Sequence, residues 1–518
     1  MRRSDPGLWV SRPFADSSLA MASPLRRSAA EALKLGFDGA KVLPFSAVPG
    51  PTWPVIGALP KFASYGYSKI NHYYKDLYKE YGVIVNTSIL NEPSVMISDP
   101  REWRKVFQNE GRYPNGLASG TWATIRLAQK NGYPEPKLAS TGPEWQKTRQ
   151  ALQKDIFSIA SATSYCEPVT DAAQQVVDSL KMKLDKGEVD LHELLVSGVA
   201  DVFTAAILGK SLGLSQGTAT EAQQRWTEGG IRFIYLSAQL MMQPHIQLWP
   251  EASKTYRELE EIYLTMVPVT MQLVEDTIAK YQDFSGPEDE LPYVARVGKR
   301  AEMSINNLSF EVMGIALAGL DTTYHVLLWN MLNLAQNPHA QEALREEVLR
   351  VLGPDAHFTR DKLSEMPYLK AVIRESHRLS MPGYIYTFRF LDEDVALCGY
   401  NVPAGTRIIM ASDGLQNDPE LVEDPEEFRP ERFLAEAVDA RKSDPFKSLL
   451  DHKLLASPFS FGPRMCLGAR LADMEIMTLL AKFTASFDFE LAPNQTWTKI
   501  AKTMAVPDPV PRLTFRPR

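Results

Sequence analysis

Residues 458–476, PFSFGPRMCLGARLADMEI, place Cys466 in a turn-rich loop directly before a predicted helix. Gly462 and Gly468 carry no side chains, so a flat group could approach the cysteine there. Arg464 and the amino-terminal end of the following helix would both favour the thiolate over the thiol. The pattern predicts a reactive or metal-ligating thiolate, and a buried, inert cysteine is the alternative.

A second stretch, EVMGIALAGLDTTYHVLLWNML, surrounds an acid and two hydroxyls with apolar residues in a long predicted helix. Burying the carboxylate of Asp321 there is costly unless it is hydrogen-bonded or used in a reaction. The stretch favours an acid–hydroxyl pair, Asp321 and Thr322, that handles protons. The alternative is a core helix whose hydroxyls bond back to its own carbonyls.

The loop resembles the haem-binding loop of the cytochrome P450 family. Its pattern F-x-x-G-x-R-x-C-x-G is met by Phe459, Gly462, Arg464, Cys466 and Gly468. The resemblance implies a haem b (iron protoporphyrin IX) cofactor, bound by these loop residues. It makes the Cys466 thiolate the axial iron ligand and pairs Arg464 with a haem propionate.

The helix resembles the oxygen-activation segment of the same family, through the pattern A-G-x-D-T-T at residues 318–323. The resemblance implies that Gly319 lets haem and O2 approach the backbone. It also implies that Asp321 and Thr322 pass protons to bound oxygen.

The motif E-S-H-R puts Glu375 and Arg378 one helical turn apart, on one face of a predicted helix. Arg432, in FRPERF, would complete the Glu–Arg–Arg cluster of the family. A buried cluster of this kind specifies geometry more than it adds net stability. Its implied role is structural support beneath the haem.

A third motif, W-x-x-x-R, is formed by Trp145 and Arg149 and resembles a propionate-contacting helix of the family. Arg389, in a predicted strand, resembles another propionate partner. An ordinary cation–π pair between Trp145 and Arg149 is the alternative.

The fold that positions these residues is predicted to be mainly α with a small β-rich part. Helical periodicity dominates residues 144–349, and short β-like pieces follow Arg378. We expect one large catalytic domain, residues 46–518, with the cytochrome P450 fold and haem between the long central helix and the helix after Cys466. Residues 1–45 are basic and contain many Ser and Ala, which predicts a mitochondrial transit peptide or a disordered tail.

The net charge of −7 argues against nucleic acid as the main partner. Three cysteines, an odd number, make a disulfide framework unlikely and favour a reducing compartment. No run reaches the ~18 apolar residues that a membrane span needs. The sequence therefore predicts a protein that is soluble or lies on a membrane surface.

Mitochondrial members of the family take electrons from a small acidic ferredoxin, which is served by an NADPH-dependent reductase. Lys370 and Arg374 resemble their ferredoxin-binding pair, and Arg470 is retained from their C-L-G-R-R-x-A-E-x-E ending. The chain departs from that ending at Ala469 and Asp473. A solvated charged face is the alternative for Lys370 and Arg374.

The resemblance implies a monooxygenase that uses O2 to hydroxylate a lipophilic substrate, of the sterol or steroid class, at the matrix side of the mitochondrial inner membrane. By family position, the pocket residues are Leu317, Ala318, Tyr384 and Met504. The alternatives are a lipid-peroxide isomerase or dehydratase, a microsomal or bacterial type of monooxygenase with another redox partner, and a haem-binding sensor.

Overall fold

The structure is a computed structural model. It describes residues 29–37, 41–90, 92–115, 122–184, 189–241, 243–301, 303–353, 358–380 and 388–518. The predicted pocket residue Tyr384 lies outside this described part, as does most of the predicted leader or tail.

Helices make up most of the described chain, as the sequence predicted. They are α1 (Ala29–Leu35), α2 (Leu59–Tyr65), α3 (Ile70–Tyr81), α4 (Pro100–Gln108), α5 (Trp122–Lys130), α6 (Gly142–Gln153), α7 (Ile159–Thr163), α8 (Cys166–Leu184), α9 (Leu191–Leu208), α10 (Glu221–Met241), α11 (Lys254–Lys280), α12 (Tyr293–Arg300), α13 (Ile305–Gln336), α14 (Pro338–Leu352), α15 (Arg360–Ser364), α16 (Pro367–Leu379), α17 (Asp413–Gln416), α18 (Ala435–Arg441), α19 (Lys453–Ala456) and α20 (Ala469–Ser486).

The strands are short. They are β1 (Ile84–Asn86), β2 (Ser94–Ile97), β3 (Phe388–Phe390), β4 (Val395–Leu397), β5 (Tyr400–Val402), β6 (Arg407–Met410), β7 (Phe487–Leu491), β8 (Thr498–Ala501), β9 (Ala505–Asp508) and β10 (Leu513–Pro517). A four-stranded sheet has the order β1-β2-β6-β3, and three two-stranded sheets pair β4 with β5, β7 with β10, and β8 with β9. The strands β1 and β2 form an antiparallel hairpin, and β2 pairs in parallel with the distant β6.

The 32-residue helix α13 is the centre of the fold. The Ser304 side chain caps its start by accepting a hydrogen bond from the Asn307 backbone, and the helix ends just before Pro338. It packs against α9, α10, α11, α16 and α20. Because α20 begins just after Cys466, this packing brings together the two helices that carry the predicted chemistry.

Within the described ranges, two helices are long and apolar enough to cross a membrane by length and composition alone, namely Leu191–Leu208 (α9) and Ile305–Gln336 (α13). Most of each apolar window, 83% and 72%, is buried inside the protein. Their apolar residues therefore pack in the core of this fold.

Part of the predicted leader packs on the body. Ala30 and Leu33, on α1, are buried. The Arg101 guanidinium donates to the Leu33 carbonyl at 2.9 Å, and Lys34 pairs with Glu420 at 3.0 Å. The helix α1, Ala29–Leu35, is thus integrated into the folded body.

Candidate active site

The loop before α20 is held closed by its own backbone. The Cys466 amide donates to the Phe459 carbonyl at 3.0 Å, and the Met465 amide donates to the Gly462 carbonyl at 3.0 Å. Gly462 has a positive φ of 73°, and a Cβ there would overlap the Glu110 carboxylate. Glycine is therefore required at this turn.

The Cys466 side chain is accessible, although protein surrounds it closely. Burial raises the pKa of this thiol, while a hydrogen bond from the Gly468 backbone and the charge of Arg149 lower it. The sequence assigned the stabilising charge to Arg464, but Arg149 supplies it.

Arg464 instead turns its guanidinium towards the turn before α6. It donates to the carbonyls of Pro114 and Ser140, each at 2.8 Å. Its Cζ lies 3.7 Å from the ring centroid of Trp145. Trp145 therefore makes a cation–π contact with Arg464 and not with Arg149, which was the predicted alternative.

The other two arginines lie near the same loop. Arg389 pairs with Glu110 and donates to the Ser460 hydroxyl at 3.2 Å. Arg149 donates to Gln153 at 3.1 Å and makes a cation–π contact with Phe157.

Burial, and then the charges of Arg389 and Arg149, lower the pKa of Arg464 to about 10. Three guanidiniums that disfavour one another's charge suit a ligand with carboxylates. The cluster therefore fits the propionates of a haem.

The central helix α13 has a narrow exposed face in its middle, although most residues around that face are buried. Ala318 and Thr322, one turn apart, are exposed in the middle of α13. A Cβ at Gly314, one turn earlier, or at Gly468 would meet no described atom within 4 Å. These positions fit a flat cofactor that lies between α13 and the Cys466 loop.

The acid and hydroxyl of α13 point in different directions. The Thr322 hydroxyl donates to the Ala318 carbonyl at 2.8 Å, as the back-bonding alternative predicted. Asp321 is buried, accepts a hydrogen bond from Thr503 at 2.9 Å, and lies 3.3 Å from the His325 ring. The carboxylate is thus hydrogen-bonded, and the Thr322 hydroxyl is the member of the pair on the accessible face.

Three predicted positions differ from expectation. A Cβ at Gly319 would lie 2.9 Å from the Phe203 ring, so this glycine lets α9 approach α13, which corrects its predicted role at the cofactor. Leu317 is buried and faces Gly230 of α10, so the structure does not place it on the accessible face. Met504 is also buried, between β8 and β9.

The predicted cluster around Glu375 is assembled and fully buried. Arg378 donates to both Glu375 oxygens, at 2.8 and 2.9 Å, and Arg432 donates at 3.2 Å. The remaining Arg378 donors reach the carbonyls of Gln416, Pro425 and Glu427. The cluster therefore ties α16 to the irregular segment after α17.

The predicted basic patch is only partly available. Lys370 and Arg470 are exposed. Arg374 pairs with Asp451 at 3.1 Å, and its Cζ lies 4.1 Å from the Phe433 ring centroid. Arg374 is half-buried and already has partners, since its guanidinium edge pairs with Asp451 and its face stacks on Phe433. This corrects its prediction as a docking residue.

Sequence reasoning missed two side chains at the site, Glu110 and His325. His325 follows Asp321 by four residues, and this spacing on a helix could have indicated the contact. Glu110 meets Arg389 across 279 positions of sequence, and no local pattern signals that pair.

Comparison with known proteins gives the same family. The family model for cytochrome P450 matches residues 48–515. The chain is 26% identical to the mitochondrial 1,25-dihydroxyvitamin D(3) 24-hydroxylase of Rattus norvegicus, over 91% of this chain and 89% of that protein. It is 28% identical to the probable mitochondrial cytochrome P450 12c1 of Drosophila melanogaster, over 92% of each chain. It is 24% identical to the mitochondrial cytochrome P450 11B of Aquarana catesbeiana, over 94% of this chain and 92% of that protein. The chain therefore belongs to the cytochrome P450 family of haem-thiolate monooxygenases.

Proposed function

We propose that this protein is a mitochondrial, ferredoxin-dependent hydroxylase of a sterol-like or steroid-like lipid. The observation that carries the proposal is the accessible Cys466 thiol beside three convergent guanidiniums. A haem b fits this arrangement, with Cys466 as its iron ligand. Arg149, Arg389 and Arg464 would bind its propionates.

When bound, a thiolate-ligated haem supplies the activation of O2 by electrons from a redox partner. The protein's own task is to orient the substrate, exclude water and deliver protons. Gly314 and Gly468 leave room for the flat group, and the tight loop fixes the thiol. The Glu375 cluster keeps the supporting backbone rigid.

Thr322 presents its hydroxyl on the accessible face, and Asp321 is the buried acid next to it in the helix. The hydrogen bond from Thr503 and the contact with His325 hold the carboxylate in place. In this proposal Asp321 first takes up a proton and passes it to the Thr322 hydroxyl, and Thr322 releases its own hydroxyl proton on the accessible face, so that both groups return to their starting state. Retention of this pair argues against the isomerase alternative.

The substrate class rests on the relatives and on the accessible face of α13. By their names, the vitamin D hydroxylases among the relatives act on vitamin D compounds. Ala318 on the accessible face is small and apolar, which suits an apolar substrate.

The redox partner would dock at Lys370 and Arg470, the exposed part of the predicted basic patch. A small acidic ferredoxin, reduced by an NADPH-dependent reductase, has the complementary charge. The mitochondrial names of the relatives support a mitochondrial location, and the matrix side is our proposal within it. We propose that residues 1–45 contain the leader and that residues 46–518 form the catalytic domain. The helix α1 packs on that domain.

Peripheral contact with the inner membrane is supported by two groups of exposed apolar residues. Trp53, Val55, Ile56 and Leu90 form one group near the Pro-rich entry, and Leu248 and Trp249 form the other. Clustered exposed apolar side chains are a feature of interaction surfaces. In contrast, the apolar residues Phe233, Leu236 and Leu240 of α10 are buried, so that helix offers no comparable group there.

The carbon monoxide difference spectrum of the reduced protein tests the proposal. We expect the long-wavelength band of thiolate-ligated haem in the wild type and its loss in Cys466→Ser. Cys398→Ser, at a buried cysteine away from the loop, should keep the band. A histidine-type band in the wild type, or a band that survives in Cys466→Ser, would contradict Cys466 as the ligand.

A further inference from the structure

The cofactor site contains one acid that the family resemblance did not identify. Glu110 follows α4 and is 5% exposed, and Arg389 is 4% exposed. The Arg389 Nε donates to Oε2 of Glu110, while Oε1 accepts no hydrogen bond from the described residues. Oε1 instead lies against Gly462, in the loop that carries Cys466.

Glu110 also acts on a second guanidinium. Burial raises the pKa of Glu110, and the charges of Arg389 and Arg464 oppose that effect. Arg464 in turn is influenced by Arg389, Arg149 and Glu110. The four groups therefore form one electrostatic unit, with three positive members and one negative member.

We propose that Glu110 sets the charge of the cofactor site, so that three arginines and one glutamate leave two positive charges to balance the two carboxylates of the haem. This inference rests on the proposed function. Glu110 touches no reacting atom, so it is a positioning residue for Arg389 and a fixed charge near the metal. Without Glu110, the three arginines would carry three positive charges against the two negative charges of the haem carboxylates.

The midpoint reduction potential of the haem-loaded full-length protein measures this charge directly. Removing a negative charge favours the reduced metal, so Glu110→Gln should raise the potential. We expect a change on the order of tenfold in the reduction equilibrium, which is about 59 mV for one electron. Glu110→Asp keeps the charge and should stay near the wild type.

Charge and local geometry are separated by two further variants. Arg389→Gln removes a positive charge and should lower the potential. The double variant Glu110→Gln/Arg389→Gln has the same net charge as the wild type. Its reduction potential should therefore return towards the wild-type value. Glu347→Gln is the matched control, because Glu347 is equally buried but accepts hydrogen bonds from Tyr368 and Leu369, at the start of α16.

The carbon monoxide band is recorded first, so that two failures can be distinguished. Absence of a thiolate band in the wild type overturns the proposed function and this inference together. A normal band with an unchanged potential in Glu110→Gln overturns only the inference. A double variant that remains as displaced as Glu110→Gln also overturns it, because charge balance would then not explain the shift.

Discussion

The hydroxyl of Thr503 donates a hydrogen bond of 2.9 Å to Oδ2 of Asp321. This bond joins the turn between β8 and β9 to the middle of α13. A second bond, from the Trp329 indole to the Ala505 carbonyl at 2.7 Å, fixes the same two elements nearby. The position of the buried acid thus depends on a segment that lies 182 residues further along the chain.

Thr503→Val should reduce product formation, because Asp321 loses a donor while the shape of the side chain is kept. We expect roughly a fivefold to tenfold loss, equivalent to about 1–1.4 kcal/mol. Product formed per electron consumed is the measurement. Thr503→Ser should recover most of the activity, and Thr514→Val, at an exposed position of β10, should have no effect. If Thr503→Val formed as much product per electron consumed as the wild type, this role would be contradicted.

Glu375→Gln should destabilise the fold, because it leaves the buried charges of Arg378 and Arg432 uncompensated. Breaking a buried ion pair from one side costs about 3–5 kcal/mol. Urea denaturation measures the free energy of unfolding. Glu221→Gln, which breaks an exposed pair with Arg225, is the control and should change little. Equal stability of the two variants would show that the cluster does not have this role.

Glu475→Gln should remove a pH dependence of stability. Burial raises the pKa of Glu475 to about 8, above its ordinary value of 4.5, so folding favours the neutral form. The contribution of Glu475 to the free energy of unfolding is complete below pH 4.5 and is lost as the pH rises to about 8. The wild type should therefore lose roughly 1.4 kcal/mol per pH unit relative to Glu475→Gln within that window.

Unfolding free energies at pH 5, 6, 7 and 8 measure the difference between the two proteins. A comparison of variants is needed because burial also raises the pKa of Glu311 to about 7 and that of Asp473 to about 6. Parallel curves for the wild type and Glu475→Gln would contradict the prediction.

Leu33→Ala should lower the free energy of unfolding by about 2–5 kcal/mol, because Leu33 is completely buried. The control is Leu349→Ala, since Leu349 is 46% exposed. A chain that begins at Ala29 should be as stable as the full chain, and one that begins at Leu43 should be less stable. Equal stability of both truncated chains would mean that α1 contributes nothing.

Lys370→Glu should raise the ferredoxin concentration needed for half-maximal reduction by about threefold to tenfold at low salt. The effect should shrink as ionic strength rises, because salt screens exposed charges. Lys254→Glu, at an exposed lysine that starts α11, makes the same charge change and should have little effect. An equal effect of both variants would indicate a general charge effect and no defined docking site.

Local patterns were enough to predict the mainly α fold, its short strands after Arg378 and the pairing of Glu375 with Arg378, whereas the part of Arg432 came from the family resemblance. Each depends on spacing that the sequence displays directly, such as the one-turn separation of Glu375 and Arg378. The Cys466 loop was similarly visible, because glycine and proline define turns within a few residues.

Only the tertiary structure decided which groups meet across long separations. Trp145 stacks on Arg464, Arg374 is engaged by Asp451, and Gly319 faces Phe203. Such contacts follow from how helices and loops pack, and no residue spacing encodes them. The sequence determined the chemical groups of the site, while packing determined their partners, because a buried charge takes the nearest complementary group that the fold supplies.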